Sequence, residues 1–187
     1  IVDADCHGMS SQLATMVGYL NRTPPIHVIT IEDPIEFLHK DEMASISQRE
    51  VGIDTPSFAI ALRAALRQDP DVILVGEIRD QETMDIALKA AETGHLVLTT
   101  LHTPDVTRTI NRMIALFDLA DPTELRDRIA NSLQGIVAQR LLPKVDGEGL
   151  VLASEVLVMT GTARETIRRP ENNPPLKEVM EKGVHPY

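Results

Sequence analysis

Short apolar runs alternate with helix-spaced apolar positions along the first half of the chain, and one run stands out. Residues 72–75 read Val-Ile-Leu-Val, between Asp-Pro-Asp on one side and Gly76 and Glu77 on the other. Such a run between turn residues is typical of a central strand buried on both faces. In an open parallel sheet, ligands bind at the carboxyl ends of the strands. The pattern therefore predicts that this strand carries the Glu77 carboxylate to the functional edge of a sheet.

The other apolar patterns predict further elements on both sides of this strand. Strands are predicted at 1–4, 26–31 and 96–101, a terminal hairpin at 141–143 and 150–159, and helices after residue 11 and at 56–66, 81–93, 105–116, 122–138, 162–169 and 176–182. Residues 39–54 form a polar excursion. The alternation of strand and helix predicts an α/β fold with a mostly parallel sheet, followed by a C-terminal helical extension and hairpin.

Composition and charge exclude several classes of protein. The chain has 187 residues, which is enough for one domain with its own core. Because only 3% of the residues are aromatic, that core is expected to be aliphatic. A net charge of −10 disfavours a nucleic-acid partner, because such binders are usually basic. The single cysteine excludes an internal disulfide, and no apolar run approaches the roughly 20 residues that span a bilayer. Because the chain opens inside a predicted strand without an initiator methionine, we expect it to be a fragment.

Polar side chains follow the predicted strands at the points where those strands end. They are the loop 5–11, Glu32 in Glu-Asp-Pro, Glu77, and His102 before Thr103. Helix N–H groups bind anions, carboxylates suit a hard cation, and an acid can accept a proton from a nucleophile. Together these groups predict a site that binds phosphate and Mg²⁺ and positions a water molecule.

Several stretches of the chain make this prediction more specific. They read ITIEDPIEF, LRAALRQDPDVILVGEIRD, ETMDIALKAAETGHLVLTTLHT and INRMIALF. These stretches resemble the secretion and type IV pilus ATPase superfamily, and within it most closely the twitching-motility retraction ATPases. The resemblance covers an Asp box at 29–36, a Walker B box at 72–80 and a His box at 94–103, in that order. It is dense from about residue 13 to about residue 142 and thinner beyond.

The resemblance implies a hexameric RecA-like P-loop motor that hydrolyses ATP with Mg²⁺. By matching position, the resemblance implies that Glu77 would be the Walker B acid that holds Mg²⁺ through water, that Glu32 would activate the attacking water, and that His102 would lie near the γ-phosphate. The motor would be cytoplasmic, peripheral to the inner membrane, and would act on a pilus or secretion platform protein there. Retraction, extension and secretion all stay open at this point.

The resemblance also implies a division of the chain into domains. Residues 1–143 would form the ATPase core, with its start truncated, and residues 144–187 would form a C-terminal hairpin and helical extension. A PAS-like N-terminal domain, which members of the family carry, would be absent from this chain.

The phosphate loop departs from the family pattern Gly-x-x-x-x-Gly-Lys-Ser/Thr. The aligned segment reads Asp-Ala-Asp-Cys-His-Gly-Met-Ser, so only Gly8 and Ser10 match, and Met9 stands where the lysine belongs. We expect Gly8, Met9, Ser10 and Ser11 to be the nucleotide-binding residues, with Ser10 as a direct Mg²⁺ ligand. Methionine cannot pair with phosphate oxygens. Asp3 and Asp5 also bring negative charge to the loop, which opposes the binding of phosphate. The chain is therefore expected to hydrolyse ATP poorly, and the alternative function is that of a silenced, structural subunit of such a ring.

Simpler structural interpretations exist for the same residues. Glu77 could end a strand and pair with Arg79, and Ser10 could be a helix N-cap. His95, the earlier histidine of the His box, is interpreted as structural. Together with His102, Glu32 and Glu77 it also offers an alternative transition-metal site, which the odd spacing of the two histidines disfavours.

Overall fold

A computed structural model of the chain describes the backbone of residues 2–3 and residues 8–117, 121–145 and 147–183. They form two units, one of residues 8–101 and one that contains β1 (Val2–Asp3) and the residues from 102 onward. Each unit has its own sheet. The side chain of Asp3 and residues 4–7 of the predicted phosphate loop lie outside the described residues.

The first unit is built on a parallel sheet. Its strands are β2 (His27–Glu32), β3 (Ser45–Glu50), β4 (Val72–Val75) and β5 (Leu96–Thr99), in the spatial order β3-β2-β4-β5. All neighbouring pairs are parallel. Every side chain of β4 is buried, which confirms the prediction of a central strand covered on both faces. The α/β class with a mostly parallel sheet is therefore confirmed.

Helices alternate with these strands, and two of the three begin at a residue whose side chain caps the helix. They are α1 (Met9–Arg22), α2 (Phe58–Ala65) and α3 (Gln81–Glu92). The side chain of Ser57 accepts from the Ile60 amide at the start of α2, and that of Asp80 accepts from the Thr83 amide at the start of α3. Gly94, with a φ of +102°, follows α3 and ends it as predicted.

One strand lies inside the segment that the sequence assigned to a polar excursion. β3 pairs with β2 in register, from Ser45 opposite His27 to Glu50 opposite Glu32. None of its side chains is fully buried, because β3 is an edge strand held by backbone hydrogen bonds to β2. The hydrophobic pattern carries little signal for such a strand, so the sequence analysis placed residues 45–50 in a polar excursion and predicted no strand there.

The second unit combines a three-stranded sheet with helices. β6 (Gly135–Pro143) pairs parallel with β1 and antiparallel with β7 (Leu150–Val158), which confirms the hairpin. The helices are α4 (Val106–Ala115), α5 (Pro122–Ser132), α6 (Gly161–Arg168) and α7 (Leu176–Lys182), with a 3₁₀ turn at Pro170–Asn172. In the part of the chain that the structure describes, no helix is both long and apolar enough to cross a bilayer.

The helix predicted at 122–138 is too long, since α5 ends at Ser132 and β6 begins at Gly135. A Cβ atom on Gly135 would lie 2.8 Å from the Leu157 carbonyl oxygen, so the two strands of the hairpin approach closely there. Ile136 and Ala138 are both buried at a spacing of two, which is a strand period. The predicted domain boundary after residue 143 falls at the turn of this hairpin, and the division of the chain at that point stays a prediction.

The central strand sets the stability of the first unit. Ile73 in β4 is completely buried, whereas Leu38 is 86% exposed. We expect Ile73→Ala to lower the free energy of unfolding by about 2–5 kcal/mol, because it removes apolar burial and leaves a cavity. Leu38→Ala is the control and should change it by less than about 0.5 kcal/mol. Urea unfolding of both variants is the measurement, and equal effects would show that β4 is not the core.

Candidate active site

Glu32 is the last residue of β2 and is half-buried. Its Oε1 atom accepts hydrogen bonds from Thr30 Oγ1 at 2.6 Å and from Gln48 Nε2 at 3.1 Å. Thr30 lies two residues earlier in the same strand, and Gln48 is its partner in β3, so all three side chains share one face of the sheet. Glu50 is the partner of Glu32, and its Oε2 accepts from the Ile35 amide at 2.9 Å. Two carboxylates therefore stand side by side at the carboxyl ends of β2 and β3.

Glu77 lies just beyond the end of β4 and is only 8% exposed. Arg79 Nη2 lies 2.5 Å from Glu77 Oε1, and the Arg79 side chain is largely exposed. A buried carboxylate is stable only when charge or hydrogen bonds compensate for its lost hydration. The ion pair that the sequence offered as the simpler interpretation of Glu77 is therefore present, and it holds the acid at the end of the most buried strand.

The ends of β2 and β4 are joined through Gly76. Its amide donates to the Ile31 carbonyl oxygen at 2.8 Å. A Cβ atom at Gly76 would lie 3.2 Å from that oxygen and 3.4 Å from Glu32 Cα, so glycine is what lets the two strand ends approach. The register places Gly76 beside Glu32, and Glu77 comes one residue later. The two predicted acids thus end neighbouring strands at one edge of the sheet, on successive positions.

The other side of this turn is held by the segment after β5. Thr100 is buried, and its Oγ1 donates to the Gly76 carbonyl oxygen at 2.6 Å. The Ile78 amide donates to the Thr100 carbonyl oxygen at 3.2 Å. The residues that carry Glu77 are therefore fixed from both neighbouring strands, and Thr100 is a positioning residue that the sequence analysis did not single out.

The described part of the predicted phosphate loop is the start of α1. The helix begins at Met9, and its N-cap is Gly8, which has a φ of +99°. Glycine has no side chain, so no side-chain hydrogen bond caps this helix. Ser10 lies inside the first turn, so the alternative that it is the N-cap is wrong. The first intrahelical bond runs from the Gln12 amide to the Gly8 carbonyl oxygen. The amides of residues 9–11 precede it and point out of the helix end, as an anion site requires.

Met9 itself is turned into the protein. Its side chain is 5% exposed and belongs to the core together with Leu13 and Val17 of the same helix. Ser10 is half-buried, and Ser11 is exposed. Position 9 therefore contributes packing in this chain, and no ammonium group is available there for a phosphate.

The two histidines of the predicted His box have different surroundings. His95 Nδ1 lies 3.0 Å from the Ala90 carbonyl oxygen and 3.2 Å from Thr93 Oγ1. The ring therefore caps a carbonyl group in the last turn of α3. Because a carbonyl can only accept, Nδ1 is the donor to Ala90. This geometry supports the structural interpretation of His95. His102 is exposed and belongs to the second unit, whereas Glu32 and Glu77 belong to the first.

The alternative transition-metal site gains no support from the structure. Within residues 8–117, 121–145 and 147–183, no three His, Cys, Asp or Glu side chains are grouped closely enough to hold a metal ion. The polar residues that the structure does group are Thr30, Gln48 and Glu50 around Glu32. The sequence analysis did not select them, and the only signal was the alternation of Gln48 and Glu50 within an otherwise irregular polar segment.

The family model described as "Type II/IV secretion system protein" matches residues 6–171. The chain belongs to this family. Two curated members show how near the relationship is. The twitching motility protein of Neisseria gonorrhoeae is 48% identical over 161 residues, which cover 86% of this chain and 43% of that protein. The type IV pilus retraction ATPase PilT of Pseudomonas aeruginosa is also 48% identical, over 86% of this chain and 46% of its own length.

A solved member of the family has the same fold. The crystal structure of the pilus retraction motor PilT with bound ADP superposes with a TM-score of 0.87 at 48% identity, and the match covers 97% of this chain and 52% of that one. The predicted RecA-like α/β core is thereby confirmed. The chain spans about half the length of these secretion-system relatives.

The close approach at Gly76 yields a test of the site geometry. We expect Gly76→Ala to lower the free energy of unfolding by about 1–3 kcal/mol, because the new methyl group meets backbone atoms of residues 31 and 32 at 3.2–3.4 Å. Gly161→Ala is the matched control, since a Cβ there meets nothing within 4 Å. It should be neutral or stabilise the chain by up to about 1 kcal/mol. Chemical unfolding of both variants decides, and equal stabilities would contradict the geometry.

Proposed function

We propose that this chain is the nucleotide-binding core of a motor ATPase that couples ATP hydrolysis to type IV pilus retraction or to related type II secretion. The observation that supports it most directly is the pair of acids at the ends of neighbouring parallel strands, Glu32 after β2 and Glu77 after β4. Carboxylates at that edge suit a hard cation, and the start of α1, whose first amides have no intrahelical partner, suits a phosphate ester.

Each residue of the proposed site has a role that its position allows. The amides of Met9, Ser10 and Ser11, with Gly8 at the turn, would hold phosphate oxygens, since none of these amides has an intrahelical partner. The Ser10 hydroxyl would ligate Mg²⁺ directly, and Glu77 would hold it through water. When bound, Mg²⁺ would neutralise charge that develops on the phosphate oxygens.

The remaining steps fall to Glu32 and His102. Glu32 would polarise the attacking water, because its carboxylate lies at the sheet edge and is only half-buried. His102 would sense the γ-phosphate, as the resemblance of residues 94–103 to the His box of the family implies. Arg79 would have to share Glu77 with the hydrated cation, since the guanidinium pairs with that carboxylate in this structure.

At the level of the whole protein, we propose a hexamer whose subunits bind ATP at their boundaries. It would be cytoplasmic and peripheral to the inner membrane, where it would act on a pilus or secretion platform protein. Residues 1–143 would form the ATPase core and residues 144–187 an extension of it. The relatives named as twitching motility protein and pilus retraction ATPase favour retraction over secretion.

A second candidate is supported by Met9. This side chain is 5% exposed and packs in the core, so the position that the family pattern gives to a phosphate-binding lysine serves stability in this chain. The chain would then be a structural subunit of such a ring that binds nucleotide weakly and does not turn it over.

Calorimetric titration with Mg·ATP separates the two candidates. We expect Met9→Lys to bind roughly tenfold or more tightly than the unchanged chain, since a charge-assisted hydrogen bond contributes about 1.5–3 kcal/mol. Met9→Leu is the control, because it keeps the buried apolar contact without adding a charge.

The outcomes are distinct. If only the lysine variant binds, the site is intact and this chain is a silenced subunit. If all three proteins bind alike, Met9 does not weaken the site and the motor function applies to the chain as it is. If none of them binds, the proposal of a nucleotide site at α1 is wrong.

A further inference from the structure

The Glu32 carboxylate is held on one side only. Its Oε1 atom accepts from Thr30 at 2.6 Å and from Gln48 at 3.1 Å. Within the described part of the chain, no hydrogen bond reaches Oε2. Thr30 is 1% exposed, so its hydroxyl is fixed in the sheet and cannot turn to solvent. This arrangement fixes the rotation of the carboxylate and leaves one oxygen for an outside partner.

The Gln48 side chain connects this carboxylate to the segment that links β2 and β3. Its Nε2 atom donates to the Phe37 carbonyl oxygen at 2.9 Å and also to Glu32 Oε1. These two bonds use both hydrogens of the Gln48 amide group. Its Oε1 atom accepts from the His39 amide at 2.9 Å. Between these two contacts lies Leu38, which is 86% exposed. One amide group therefore joins the proposed catalytic acid to a linker segment that contains an exposed apolar residue.

We propose that Thr30 and Gln48 are positioning residues that aim Oε2 of Glu32 at the attacking water, and that Gln48 makes this aim depend on the placement of residues 37–39. The proposal rests on the proposed role of Glu32 as the group that polarises water. A general base must lie within about 2.6–3.2 Å of its proton, and small misplacements are costly in rate. Two donors on Oε1 provide the required orientation before substrate binds.

Turnover separates a positioning role from a purely structural one. We expect Thr30→Val to lower kcat roughly tenfold or more while KM for ATP stays within about twofold, because the isosteric valine removes only the donor. Thr30→Ser keeps the hydroxyl and should restore most of kcat. Both substitutions are made in the unchanged chain and in the Met9→Lys variant, so that the result does not depend on the altered loop. A Thr30→Val variant with unchanged kcat, or a Thr30→Ser variant that is equally impaired, overturns the proposal.

Amide hydrogen exchange tests the connection through Gln48 without any turnover. We expect Glu32→Ala and Gln48→Leu each to speed exchange of the His39 amide several-fold. Gln48→Leu removes the oxygen that accepts from this amide. Glu32→Ala removes the carboxylate that holds the Gln48 side chain in place. Glu36→Ala is the matched control, an exposed acid in the same segment, and should leave His39 unchanged.

If Glu32→Ala leaves exchange at His39 unchanged, the connection does not exist and the proposal fails. If no variant turns over ATP in either background, the proposed function fails, and the exchange result alone then decides whether Glu32 and the 37–39 segment are linked.

Discussion

The parallel pairing of β2 with β4 is the constraint on which the rest of the site depends. Gly76 closes this pairing, since its amide binds the Ile31 carbonyl oxygen at 2.8 Å and its missing side chain leaves room for Glu32 Cα. All side chains of β4 are buried, so this strand places the β2–β4 pair in the core of the first unit. Glu32 and Glu77 reach one edge because these two strands end at the same level, and Thr100 holds the turn from the far side.

The edge of the sheet agrees with the family pattern, whereas the start of α1 departs from it. At the edge, the Glu32 carboxylate accepts hydrogen bonds from Thr30 and Gln48, and the Glu77 carboxylate pairs with Arg79. The helix start offers backbone amides after Gly8, but Met9 points into the core where the family pattern has a lysine. The proposed site therefore combines two held carboxylates with a helix start that offers backbone amides but no lysine.

Sequence patterns predicted the parts of the fold in which burial and period agree. The apolar run of β4 revealed both the central strand and the placement of Glu77, because a strand buried on both faces has no polar positions. β3 was missed since an edge strand held by backbone pairing needs few apolar residues. The end of α5 was misplaced because the strand character of Ile136 and Ala138, buried at a spacing of two, follows from their pairing with β7, which a helix period read from the preceding residues does not reveal. Gln48 was not selected because its role follows from the register with β2, which no local pattern encodes.

The central claim is that nucleotide binds at the carboxyl edge of β2 and β4 against the start of α1. Backbone NMR of the chain during titration with Mg·ADP tests it most directly, because chemical-shift changes report even weak, millimolar binding. The account predicts that the largest changes fall on the amides of residues 8–11, 32–33 and 76–79. Changes that cluster in the second unit instead, around α5 and α6, or no changes at millimolar nucleotide, would contradict it.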